Sequence, residues 1–136
     1  MTIRRIEKEQ AWRLRHTVMW PNKDFDYIKL DEDDQGIHYG LFVAEELVSV
    51  VSVFIRGDQA QFRKFATLTP HQNKGYGSTL LSYVFEEANR LGIKRIYCNA
   101  RKEKGAFYKK FGLLETDHTF SKGGKDYVVM ERLYVK

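Results

Sequence analysis

Leu68-Thr69-Pro70-His71-Gln72-Asn73-Lys74-Gly75-Tyr76-Gly77-Ser78-Thr79-Leu80-Leu81 joins two segments of different periodicity. Before it, Gln61 to Leu68 reads as a strand; after it, Leu80 to Leu91 carries apolar residues at helical spacing. Two glycines one residue apart lie between them. The N–H groups that open a helix have no partner inside it, and the helix dipole places about half a positive charge there. Without side chains at Gly75 and Gly77, a large anion can come close to that backbone. The stretch reads as a phosphate-binding loop.

Other phosphate and nucleotide motifs fail on single positions. A P-loop needs Gly-x-x-x-x-Gly-Lys-Ser/Thr, and Ser78 follows Gly77 here. The dinucleotide fingerprint needs a third glycine or alanine where Leu80 stands. Lys74-Gly75-Tyr76-Gly77 matches the start of an RNA-recognition strand, but that pattern requires aromatics at the places of Ser78 and Leu81. The remaining pattern, Gln72-x-x-Gly75-x-Gly77 between strand and helix, resembles the acetyl-coenzyme A (acetyl-CoA) signature Arg/Gln-x-x-Gly-x-Gly/Ala of the GNAT superfamily of N-acetyltransferases.

With 136 residues the chain makes one domain, 1–136, with one sizeable core. Its 43% hydrophobic and 30% charged residues are ordinary for a soluble globular protein. No apolar run approaches the roughly 20 residues that span a bilayer, and Met1-Thr2-Ile3-Arg4-Arg5 opens no signal-peptide core, so no membrane association is expected. Cys98 is the single cysteine and cannot form an internal disulfide, which suits a cytoplasmic location. Its apolar surroundings in sequence make it a small core residue rather than a nucleophile. The formal charge of +5 attracts anions. The basic residues are spread out, yet Arg63, Lys64, Lys74, Lys94, Arg95, Arg101, Lys102 and Lys104 share the half with the glycine turn. A multiply charged cofactor explains that bias without nucleic acid.

Along the chain, Thr2 to Ile6 is expected to be a strand and Glu7 to Trp20 a helix ended by Pro21. Asn22 to Gln35 is acidic and irregular. Its Asp31-Glu32-Asp33-Asp34 run lacks the spacing and glycine turn of a calcium loop, so no metal site is expected. Ile37 to Glu45 and Leu47 to Arg56 form a hairpin about Glu45-Glu46; Gly57-Asp58 turns the chain into a third antiparallel strand, Gln59 to Leu68. A helix from Ser78 to Leu91 ends at Gly92. Ile93 to Ala100 is a strand that should run parallel to Gln59–Leu68. Glu103 to Phe111 is a short helix stopped by Gly112. Leu113 to Ser121 and Asp126 to Val135 flank a hairpin turn at Lys122-Gly123-Gly124-Lys125. The order β-α-β-β-β-α-β-α-β-β predicts an α/β fold: a mixed, mostly antiparallel sheet with helices on both faces.

That order is also the GNAT order, and a second segment agrees. Ala106-Phe107-Tyr108-Lys109-Lys110-Phe111-Gly112-Leu113 resembles the family's Ala-x-x-Phe-Tyr-x-Lys-x-Gly-Phe, with Gly105 or Glu103 at the usual alanine place because Ala106 directly precedes Phe107. Arg15-His16 and Gly36-Ile37-His38-Tyr39-Gly40 look like the N-terminal half of small bacterial members. The resemblance implies the acyl-CoA N-acyltransferase fold, its parallel pair splayed at the cofactor site. It implies a pantetheine arm along the backbone of Phe65, Ala66, Thr67 and Leu68, and a pyrophosphate on the N–H groups of Gln72, Asn73, Lys74, Gly75, Tyr76, Gly77 and Ser78, with Lys74 or Arg63 adding charge.

The activity implied is transfer of acetyl from acetyl-CoA to a primary amine of a small molecule or peptide, the amine attacking the thioester directly and coenzyme A leaving as thiolate. A backbone N–H near Thr67 or Leu68 would steady the oxyanion. Tyr108 matches the family's general acid. Some members carry a glutamate base where Gln61 stands, and glutamine cannot accept the proton. His38 could serve instead, directly or through water, or be a structural histidine. His71 would touch cofactor rather than substrate. Asn99 would orient Tyr108 or the cofactor, or simply end its strand. The Gln61 departure also supports an alternative: a non-catalytic acyl-CoA-binding regulatory or interaction module. The acidic run hints at a cationic acceptor, or only balances local charge, and an apolar edge at Val128-Val129-Met130 could pair two subunits as a homodimer.

Overall fold

Runs rich in β-branched and aromatic residues build the central strands of this protein. The structure, a computed structural model, describes residues 1–134. Its strands are β1 (Thr2–Ile6), β2 (Ile37–Val43), β3 (Glu46–Arg56), β4 (Gln59–Thr67), β5 (Arg95–Arg101), β6 (Leu114–Lys122) and β7 (Lys125–Leu133). The α-helices among the described residues are α1 (Lys8–Met19), α2 (Tyr76–Arg90) and α3 (Gly105–Lys109). The strands form one sheet in the order β1-β2-β3-β4-β5-β7-β6. β4 and β5 are parallel, and β1–β2, β2–β3, β5–β7 and β6–β7 are antiparallel. This is the mixed α/β fold that the sequence predicts. The last residue expected in the final strand, Val135, lies outside the described residues.

The chain divides into two compact units: Met1–Phe54 with Arg63–Val84, and Ile55–Phe62 with Phe85–Lys136. In the first, α1 lays Leu14 against Val50 and Ala66, with Ile6, Val18, Met19, Leu47 and Leu68 packed around them. The β2–β3 turn falls at Ala44 and Glu45, both at positive φ (50° and 68°), one residue earlier than expected. Such a turn matches the right-handed twist of the strands it joins. The expected irregular stretch contains two 3-10 turns, Phe25–Ile28 and Asp31–Gln35.

In the second unit, Phe62, Phe85, Ile96, Cys98, Leu113 and Met130 are buried. Gly92, at φ +83°, ends α2 in the left-handed conformation expected of it. β5 starts at Arg95, later than expected, because Ile93 N–H is still bound to Ala88 of the helix and Lys94 N–H to Asp58. The edge expected at Val128–Met130 needs correction. β7 lies between β5 and β6, so both of its sides are paired, and Val128, Val129 and Met130 are buried. The outer strand is β6, largely exposed, and it supplies no apolar edge of the kind anticipated for a homodimer.

Candidate functional site

The site begins with an irregularity in β4. Lys64 sits at φ +56° inside the strand, a left-handed conformation rare for a side-chain-bearing residue. Side chains of a regular strand alternate faces, so residues three apart should point oppositely. Instead Phe62 meets Phe85 of α2 (ring centroids 5.6 Å apart), and Phe65 lies against Gly77 of the same helix. Ala66 packs with Leu14 of α1. One residue out of register at Lys64 accounts for the change of face, as a β-bulge does. The parallel ladder pairs Gln59, Ala60 and Gln61 with Arg95, Ile96 and Tyr97, while β4 itself runs on through the bulge to Thr67.

Beyond β4, a 3-10 turn (Thr69–His71) leads into an exposed loop, Gln72 to Gly75. Asn73 (φ +62°) and Gly75 (φ +83°) are left-handed, and α2 begins at Tyr76 with Thr79 N–H bound to Gly75 O at 3.0 Å. Among the described residues, the N–H groups from Asn73 to Ser78 donate to no protein acceptor. Successive unpaired N–H groups at a helix start form a concave anion site. Gln72 departs from its expected role: its N–H is bound to Thr69 O (3.2 Å), and its side-chain Nε2 donates to Thr67 O (2.9 Å). It braces the loop against the end of β4. Leu68 N–H is likewise spent, on Val48 O at 2.8 Å, which removes it as an oxyanion donor.

The two glycines act for different reasons. A Cβ on Gly75 would meet nothing within 4 Å, so only its backbone conformation demands glycine. A Cβ on Gly77 would stand 2.7 Å from Phe65 Cζ and 3.3 Å from Thr67 Oγ1. Gly77 is therefore small to let α2 approach β4. Thr67 is itself held by Ser49, whose hydroxyl lies 2.8 Å from Thr67 Oγ1 and donates to Ala66 O at 3.2 Å. Lys74 is exposed on the loop. Arg63 is drawn toward Glu32 (3.5 Å) and the Phe54 ring, leaving Lys74 as the loop's own cation.

In the second unit, Tyr108 on α3 packs its ring against Phe62 and Phe107, at centroid distances of 5.9 and 5.2 Å. No described group takes its hydroxyl in a hydrogen bond, so the backbone-capped arrangement of a plain core tyrosine is absent. Burial first, and the neighbouring Cys98 second, push its acidity below that of an ordinary phenol. Cys98 is buried and its thiol is pushed up to about 12 by that burial. Asn99 is exposed on β5, opposite Val129 of β7.

His38 does not face an open crevice. It is buried, with Nδ1 2.7 Å from Ser52 Oγ and Nε2 3.0 Å from Asp33 O. The same Ser52 hydroxyl accepts from Arg15 Nη2 at 2.7 Å, and Arg15 in turn meets Asp33. His38 thus belongs to a buried polar network joining α1, β2, β3 and the turn Asp31–Gln35. Asp33 also accepts from Trp12 Nε1 (2.7 Å) and Leu30 N–H (2.9 Å). Burial alone would raise the Asp33 carboxyl, but these donors, Arg15 foremost, hold it below its usual range. His71 lies beside the loop, 3.3 Å from Glu46, its ring 6.0 Å from Tyr76. The bulge at Lys64 and the Arg15 network escaped sequence reasoning. The only trace of either was an arginine on the apolar face of a helix.

Comparison with known proteins agrees with this geometry. The model of the acetyltransferase (GNAT) family matches residues 5–113. The uncharacterised N-acetyltransferase YitI of Bacillus subtilis (strain 168) is 25% identical over 129 residues, covering 88% of this chain and 87% of its own. An N-acetyltransferase structure from Lactobacillus plantarum superimposes with a TM-score of 0.86 at 18% identity, over 99% of this chain and all of its own. A GNAT acetyltransferase of Elizabethkingia anophelis, solved with acetyl-CoA bound, gives 0.77 at 16% identity over 98% and 97% of the two chains. The order of strands, the glycine loop and the extent of the family match lead to one conclusion: this chain belongs to the GNAT family of acetyltransferases.

Proposed function

We propose that the protein transfers an acetyl group from acetyl-CoA to the primary amine of a small molecule or peptide in a single direct step. Acetyl-CoA is the co-substrate that accompanies this family, and it supplies an acetyl thioester. The observation that carries the reading is the run of unsatisfied N–H groups from Asn73 to Ser78 at the head of α2. These groups would hold the diphosphate, with Lys74 adding charge. The backbone of Phe65, Ala66 and Thr67 would run beside the pantetheine arm. Tyr108 would donate its proton to the departing sulfur as the new C–N bond forms and the C–S bond breaks, and the proton shed by the attacking nitrogen would pass to solvent, from which the phenol is restored. The free, buried Cys98 and the need for a cellular acetyl-CoA supply favour a cytoplasmic setting. No described helix is long and apolar enough to cross a membrane.

The test is thermal unfolding with and without acetyl-CoA. At a hundredfold excess over the dissociation constant a ligand adds about 2.7 kcal/mol of stability. A clear upward shift in the wild type and none in Gly75→Val supports the proposal; no shift in the wild type defeats it.

A second reading, a non-catalytic acyl-CoA-binding module, is favoured by two observations: His38 has both ring nitrogens engaged, and Gln61 cannot accept a proton. Stabilisation by acetyl-CoA without thiol release across a broad amine panel would select it.

A further inference from the structure

In the second unit, aromatic rings close a circuit through α3. Phe62 meets Phe85 with centroids 5.6 Å apart, Phe85 meets Phe111 at 5.5 Å, and Phe111 meets Phe107 at 5.4 Å. Phe107 lies 5.2 Å from Tyr108, and Tyr108 returns to Phe62 at 5.9 Å. Tyr108 alone in this circuit carries a hydroxyl. α3 spans only Gly105–Lys109, too short to hold its shape without tertiary contacts. Ring packing keeps Tyr108 in place but fixes its direction poorly, because tilted and edge-to-face pairs attract over a broad range of offsets.

One directional contact reaches the turn that ends α3. Arg132 of β7 donates from Nη1 to Phe111 O at 3.1 Å, and Phe111 N–H is bound to Tyr108 O at 3.0 Å. A basic side chain thus satisfies a carbonyl that the helix end leaves open. The guanidinium is itself held. Its Cζ lies 5.9 Å from the Phe85 centroid and 5.1 Å from that of Tyr134, whose hydroxyl donates to Phe85 O at 2.7 Å. Arg132 lies on the same side of β7 as the buried Val128 and Met130. It forms no ion pair among the described residues: Glu131 pairs with Arg95, Glu103 with Arg101, and Glu115 with Lys109. The bond to Phe111 is therefore what this guanidinium does for the fold.

We infer that Arg132 is a positioning residue for the reaction, fixing the turn 110–112 and, through it, the direction in which Tyr108 presents its hydroxyl. This rests on the reading of Tyr108 as proton donor. Packing supplies the place and the hydrogen bond, which weakens steeply off its axis, supplies the angle.

Tyrosine labelled at Cζ for carbon NMR reports the phenol directly, and Tyr108→Phe assigns the Tyr108 signal. In Arg132→Met, which keeps the stem and removes the donor, that signal should move or split, while those of Tyr27 and Tyr39 in the other unit stay put. Arg132→Lys, which returns a donor, should bring it part of the way back. Turnover is followed as thiol release from acetyl-CoA with the most active amine of a broad panel. Arg132→Met should lower kcat about tenfold, as a modest misplacement of a reacting group does, with KM for acetyl-CoA unchanged. In a Tyr108→Phe background it should cost nothing further. A Tyr108 signal unmoved in every variant that folds, or the same loss of kcat with and without the Tyr108 hydroxyl, overturns the inference. No turnover by the wild type defeats the acetyltransferase reading instead, and the Tyr108 signal still decides what Arg132 holds.

Discussion

Arg15 and Asp33 are joined by two hydrogen bonds, Nη1 to Oδ2 at 2.8 Å and Nη2 to Oδ1 at 3.0 Å, with both side chains almost wholly out of water. Removing one partner strands the other's charge in the interior, which costs about 3–5 kcal/mol. Asp33→Asn and Arg15→Met should each lower the urea midpoint strongly, and the double change to Met and Leu should cost less than the two singles combined. The double-mutant cycle measures that difference.

The same pair sets an acid limit. Asp33 binds its proton less readily in the folded protein than in the unfolded chain, whose ordinary value is 3.8. Stability from the pair is therefore complete above that value and is lost as pH falls below it toward the lower folded value. Unfolding free energy followed from pH 6 down to pH 2 should drop in that range for the wild type. Asp33→Asn, less stable throughout, should show a shallower drop.

Gly77→Ala should disturb the head of α2 through Phe65, whose ring must move to admit the new methyl group. Shortening the obstacle should repair it, so Phe65→Leu should recover part of the lost acetyl-CoA thermal shift in Gly77→Ala. A double variant no better than the single would show that the glycine serves the ligand directly.

Gly75→Ala should not be repaired by any neighbouring change. Its cost is the left-handed backbone, about 1–2 kcal/mol for a residue with a Cβ, and a Cβ there has no neighbour to relieve. Denaturant melts of Gly75→Ala with and without Phe65→Leu should be offset by the effect of Phe65→Leu alone.

Tyr108→Phe should keep acetyl-CoA binding and reduce kcat by about 10²-fold, the lower end of what a positioned proton donor contributes. Burial keeps the hydroxyl protonated beyond its ordinary 10.0, so kcat should show no Tyr108-dependent fall below that pH. Equal kcat in the two proteins would remove Tyr108 from the chemistry.

Most of the fold was legible because it is written in local signals. The paired left-handed glycines at Gly123 and Gly124, the stop at Gly92, and the apolar face of α2 each identify their element without reference to the rest of the chain. The glycine loop was legible too, although the distinct roles of Gly75 and Gly77 depend on Phe65, whose facing follows from Lys64. No propensity places a lysine in the left-handed region within a strand. Of the two roles open to His38 the structural one holds, and the oxyanion role of Leu68 does not, because partners distant in sequence, Ser52 and Val48, had already claimed them. β7 looked like an edge because apolar alternation says nothing about which strand is outermost.

The two ways in which strands meet in the second unit have a kinetic consequence. β6 and β7 close across Gly123 and Gly124, bringing Lys122 opposite Lys125, whereas the parallel ladder must bring Gln59 to Arg95 across all of α2. Short-range closure takes microseconds and long-range pairing must first meet a larger loop entropy. The C-terminal hairpin is thus the natural seed of this unit, and the parallel pairing of Gln59–Gln61 with Arg95–Tyr97 is among its last connections to be made.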